Sequence, residues 1–114
     1  LEARVVGMPG TSADARVRRL GVTDPTPHLA WADVLVHGSA AESFGRVVYE
    51  AMAHGALPAT TPLPVLRRAA QRGAAILSFG AVEPGAAALE LRGNLEALAG
   101  DPETMATLRA RNHA

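Results

Sequence analysis

The stretch from Asp33 to Gly55 restricts the fold more tightly than any other part of the chain. Asp33–His37 (DVLVH) is too short and too β-branched for a helix and reads as a buried strand. Gly38 and Ser39 open a small-residue loop that runs to Ala41. Beyond it Phe44, Val47, Val48, Ala51 and Met52 fall at i, i+3, i+4, i+7 and i+8, the apolar stripe of a helix that packs on a sheet. Gly55 stands where a left-handed residue ends such a helix. Strand, loop and helix in this order put a helix mouth at the carboxyl edge of a parallel sheet, where α/β folds bind ligands. Ser43, Phe44, Gly45 and Arg46 at that mouth offer N–H groups and a positive dipole end to an anion such as a phosphate. Ser43 also reads as the N-cap.

The flanking segments continue the alternation of strand and helix. Ala3–Met8 is a short apolar run punctuated by Gly7, Pro9 and Gly10, the end of a buried strand. Thr11–Leu20 supports two readings: a short capped helix, or a strand over Arg16–Val22 that alternates in character. A parallel crossover normally takes a dozen or more residues, so one crossover element is shortened or lost in this region. Pro27 can begin a short helix through Trp31. Ala56–Thr60 reads as a strand, Val65–Arg72 as a helix and Ala74–Phe79 as another buried strand. Ala86–Ala99 is a helix carrying Leu89, Leu91, Leu95 and Leu98 near helical spacing. Asp101-Pro102-Glu103 caps and opens a last helix. The expected fold class is α/β, a Rossmann-like parallel sheet with flanking helices, in one domain over residues 1–114.

Composition removes several classes of function. The 114 residues carry a formal net charge of zero and no extended basic cluster, so no nucleic-acid or membrane-surface footprint is present. Every Lys-or-Arg position is Arg, and there is no Cys, which removes disulfides, thiolate metal sites and Cys nucleophiles. His28, His54 and His113 have no mutual spacing resembling a metal site. No apolar run reaches the length that spans a bilayer. The sequence opens on Leu1, already inside a strand and without a Met, so a piece of a longer protein is expected.

AWADVLVHGSAAESFGRVVYEAMAHGALPATT, residues 30–61, resembles the donor-binding heart of the retaining GT-B glycosyltransferases of the large family four. Members carry two Glu in this helix region, and the matching residues are Glu42 and Glu50. The Glu-x-Phe-Gly entry, the Glu-Ala-Met-Ala-x-Gly exit and the strand ending in Thr match as well. GNLEALAGDPETMATLRARNHA is similar to the paired helices that close that domain. The variant ESFG occurs among mannosyltransferases of the family that act on phosphatidylinositol. The resemblance implies the C-terminal, donor-binding half of a GT-B fold, truncated at its N-terminus and lacking the acceptor domain.

The resemblance also implies roles. A nucleotide-diphosphate sugar, with a hexose such as mannose or glucose, is the expected co-substrate, with no cofactor and no metal. The backbone N–H groups of Phe44, Gly45, Arg46 and Val47 hold the diphosphate, with Ser43 and Ser39 beside them. Glu50 holds the ribose hydroxyls, and lies five residues past Gly45, roughly 7.5 Å along a helix axis at ~1.5 Å per residue. Glu42 contacts hydroxyls of the transferred sugar and is the catalytic-site residue, without being a general base. His37, at the strand end, is counted as a donor contact, against the plainer reading of a structural His. Glu50 and Arg46 stand at i, i+4 and alternatively form a surface ion pair. The family's Arg/Lys diphosphate clamp has no counterpart in this sequence, which contains no Lys. The parent is therefore expected to be the enzyme, cytoplasmic and in reach of the inner membrane face, and this piece alone inactive. The other reading is a non-catalytic sugar-nucleotide or phosphate-binding module, or an inactive remnant of the fold.

Overall fold

The computed structural model describes residues 2–38, 45–80 and 83–113. Ser39, Glu42, Ser43 and Phe44, among the expected site residues, lie outside the described residues. The elements run β1 (Ala3–Val6), β2 (Val17–Gly21), α1 (Thr26–Trp31), β3 (Val34–His37), α2 (Arg46–Ala53), β4 (Leu57–Thr60), a 3-10 turn (Pro64–Leu66), α3 (Arg67–Gln71), β5 (Leu77–Ser78), α4 (Pro84–Ala99) and α5 (Pro102–His113). All strand pairs are parallel, as the alternation of strand and helix requires. They form two sheets among the described residues, one of β1 and β2 and one in the order β3-β4-β5.

The ambiguity at Thr11–Leu20 resolves as a strand. Asp14 accepts hydrogen bonds from the Arg16 backbone N–H at 2.9 Å and from the Arg16 guanidinium at 3.1 and 2.8 Å. Those donors hold its carboxyl down at about 2, against 3.8 ordinarily, with the Arg16 side chain the first cause. The turn spends the residues that a helix would have used, and Val17 then pairs with Ala3. No helix crosses between β1 and β2, so this crossover is the shortened one.

In the second sheet, β4 lies between β3 and β5, with Val34 opposite Leu57 and His37 opposite Thr60. All four β4 residues are buried, including Pro58. A proline in a central strand normally removes a ladder bond. Along β4 the donors alternate sides: Leu57 N–H meets the Asp33 carbonyl at 2.9 Å and Thr61 N–H meets that of His37 at 3.2 Å, both toward β3. Pro58 lies in the alternate register, toward β5, whose pairing begins only opposite Ala59. The missing N–H therefore has no ladder position to vacate.

The same region corrects the expected strand Ala74–Phe79, which pairs only over Leu77–Ser78. Asn112 on α5 accepts from the Ala75 N–H at 2.6 Å and donates to the Ala75 carbonyl at 2.8 Å. A side-chain amide thus completes the backbone of Ala75 before the ladder starts. The expected helix Val65–Arg72 is divided into the 3-10 turn and α3. α4 begins two residues earlier than expected, because Glu83 accepts from Gly85 and Ala86 N–H and makes Pro84 a first-turn residue. Of its leucines, Leu91, Leu95 and Leu98 are half-buried while Leu89 is 69% exposed.

The core lies under α2. Val48, Met52, Leu63 and Leu66 form one buried cluster, and Leu29, Ala51 and Ala56 another, with Leu35 of β3 touching both. The apolar stripe expected on this helix accordingly faces the sheet, with Val47 half-buried at its margin.

Candidate functional site

Three pieces of backbone meet at the carboxyl edge of the second sheet. β3 ends at His37 and β4 at Thr60, whose parallel register places them side by side. Thr61 N–H continues the pairing to the His37 carbonyl. Thr60 is 2% exposed, and its carbonyl accepts from Phe79 N–H at 3.0 Å. His37 is half-buried.

The helix mouth departs from expectation in a specific way. Its N-cap is Gly45, in the left-handed region at φ 74 and ψ 37, and among the described residues no side chain caps it. α2 begins at Arg46, so the cap position falls on Gly45 and not on Ser43, which lies outside the described residues. The first bond of the helix runs from Val48 N–H to the Gly45 carbonyl at 3.0 Å. The Arg46 and Val47 N–H groups precede that bond and point out along the axis, as first-turn donors do.

Gly45 has two reasons to be glycine. A left-handed φ disfavours any side chain. A Cβ at this position would also stand 3.1 Å from Leu66 Cδ2 and 3.8 Å from Val65 Cγ2. The Cβ side of Gly45 thus faces the 3-10 turn after β4. Leu66 and Val65, as the seat of the helix mouth, are the residues that sequence reasoning missed. Only the helix stop and the proline at the turn's start hinted at them.

Glu50 lies on the second turn of α2, and Arg46 Nε donates to Glu50 Oε1 at 2.8 Å. The Arg46 side chain is 86% exposed and that of Glu50 38%, so the pair is screened by water and contributes a few tenths of a kcal/mol at most. The i, i+4 ion pair is therefore present. It holds the carboxylate on the outer side of the helix, with one oxygen committed to a guanidinium that is itself free to move.

The structure thus brings together Gly45, Arg46, Val47 and Glu50 on one helix, with His37 at the neighbouring strand end. Among the described residues no group of three or more His, Asp or Glu side chains stands close enough to hold a metal ion. No described helix is long and apolar enough to cross a membrane.

The chain matches a solved structure from Anabaena, the Alr3699/HepE protein in complex with UDP and glucose, with a TM-score of 0.71 and 24% sequence identity. The match covers 88% of this chain and 27% of that one, so the chain spans about a quarter of the length of that relative. At this identity the likeness establishes the fold, that of a GT-B glycosyltransferase. No functionally curated protein matches the sequence. A family model described as "Glycosyl transferases group 1" matches residues 2–101, nearly the full chain. With the family's model running from β1 to the start of α5, the chain belongs to the group 1 glycosyl transferases.

Proposed function

We propose that residues 37–50 are the donor-binding segment of a retaining glycosyltransferase that moves a hexose from a nucleotide-diphosphate sugar to an acceptor. The observation that carries the reading is the left-handed Gly45 cap, which opens α2 on the Arg46 and Val47 N–H groups at the carboxyl edge of the sheet. Donors so arranged suit a diphosphate, and the adjacent Arg46 guanidinium adds a mobile cation to it. Ser39, Ser43 and Phe44 complete the loop ahead of the cap.

Glu50 fits the ribose. A carboxylate accepts from two vicinal hydroxyls, and Glu50 stands one turn further from the mouth than Arg46. In this reading the bound donor takes Arg46 to its diphosphate and frees both Glu50 oxygens for the ribose. Glu42 holds hydroxyls of the transferred sugar. In the transfer step the bond from the anomeric carbon to the diphosphate oxygen breaks and a bond to the acceptor oxygen forms on the same face. The acceptor proton passes to a leaving diphosphate oxygen, so no protein base is required, and the protein supplies position and charge stabilisation.

The Arg46–Glu50 ion pair favours a second reading, in which the chain binds a phosphate compound without transfer and Glu50 serves only the helix surface. Calorimetric titration with UDP, UDP-glucose and GDP-mannose separates the two, UDP and glucose being the ligands of the Anabaena structure. The ribose role predicts that Glu50→Ala weakens nucleotide binding by about ten- to a hundredfold, the loss of a charged hydrogen-bond acceptor worth ~1.5–3 kcal/mol. Unchanged affinity in that variant removes Glu50 from the site.

A further inference from the structure

A second concave region lies around α2 from the Arg46–Glu50 pair, between α2, α3 and the end of α5. It is an open groove of about 780 Å³, lined by Arg68, Arg72 and Arg111 together with Met52 and Val65. That volume is within the ~300–1,000 Å³ of small-molecule sites. Among the described residues no acidic side chain lines it. The sequence explains the imbalance: from Ala51 to Val82 the chain has no Asp or Glu, yet it places Arg67, Arg68 and Arg72 there. In a molecule of zero net charge this face is a positive pole.

The ion pairs of the described residues use Arg16, Arg46, Arg92 and Arg109, and none uses the three arginines of the cavity. Arg68 lies on α3 and Arg72 is its C-cap residue, so both guanidinium groups stand at one end of this short helix. Arg111 adjoins Asn112, whose two bonds to Ala75 fix this end of α5 against the cavity. The guanidinium is also the group that takes phosphate oxygens in pairs.

We propose that this cavity is an anion site, separate from the helix mouth, that takes a multiply charged phosphate group between Arg68, Arg72 and Arg111. The test is a titration of inorganic pyrophosphate into the ¹⁵N-labelled 114-residue chain, read residue by residue. The site predicts saturable shifts at the Ala69, Gly73 and Asn112 amides. The variant Arg68→Gln weakens those shifts by about tenfold or more, while Arg67→Gln, which removes an equal charge from the same helix outside the cavity, leaves them intact. Shifts at Gly45 and Arg46 report the helix mouth independently, so either site can fail alone. Absence of saturable shifts at the cavity amides overturns the proposal, and so does an equal loss in Arg67→Gln, which would mean a diffuse field and no site.

Discussion

At the scale of single residues, the helix mouth depends on one backbone conformation. Gly45 combines φ +74 with a Cβ direction that points into Leu66 at 3.1 Å. The two costs act together, since relief of the contact by rotation of Leu66 leaves the left-handed strain in place. Gly45→Ala is expected to lower stability by about 1–2 kcal/mol, measured as a fall in the urea midpoint at constant slope. Leu66→Ala in the same background tests the partition. It removes the steric part of the Gly45→Ala effect, and a double-mutant coupling near zero would show that backbone conformation alone requires the glycine. Such a change also tilts the Arg46 and Val47 N–H groups, so nucleotide affinity should fall further than stability requires.

At the scale of elements, polar side chains at the far end of the chain position the sheet. α5 has little amphipathic character, yet Arg109 bonds the Gly55 carbonyl and the Asp33 carboxylate, and Asn112 grips both backbone groups of Ala75. Asn112→Ala leaves a half-buried N–H and a carbonyl unpaired and is expected to cost about 1–3 kcal/mol. Asn112→Asp, which keeps the acceptor and loses the donor, should fall between the two in thermal unfolding, and equal stability of all three would mean that water replaces the amide. These clamps show why the element order was legible and the boundaries were not. The β-branched run before His37 and the stripe Val47–Met52 are local signals, and the folded helix and strand follow them. The shortening of β5 depends on Asn112, 37 residues away from Ala75, and the choice of strand over helix at Val17 depends on pairing with Ala3. No local pattern carries either contact. The candidate site was legible in the same uneven way: Gly45 and Arg46 stood out at the helix mouth and Glu50 through the family resemblance, whereas Leu66 acts through a loop that the sequence reads only as a turn.

At the scale of the whole molecule, burial is concentrated in one of the two sheets. Every residue of β4 is buried, whereas β1 and β2 alternate between exposed and half-buried, with Val6 40% exposed and neighbouring Val22 94% exposed. Backbone pairing is not the difference, because both sheets have well-formed bonds: Gly7 N–H reaches the Gly21 carbonyl at 2.7 Å, and Leu57 N–H reaches that of Asp33 at 2.9 Å. What separates them is the apolar area that opening would expose, and local opening free energy follows that area. Native-state hydrogen exchange should therefore find the Gly7 and Gly21 amides exchanging at least ~10-fold faster than those of Leu57 and Phe79 once intrinsic rates are divided out. The helix mouth rests on the protected sheet through Val48, Met52 and Leu66, so added nucleotide should slow exchange at Leu57 and Phe79 by mass action and change Gly7 little. Exchange at equal rates in both sheets would instead make the molecule a single cooperative unit, with β1 and β2 opening only when α2 leaves its seat.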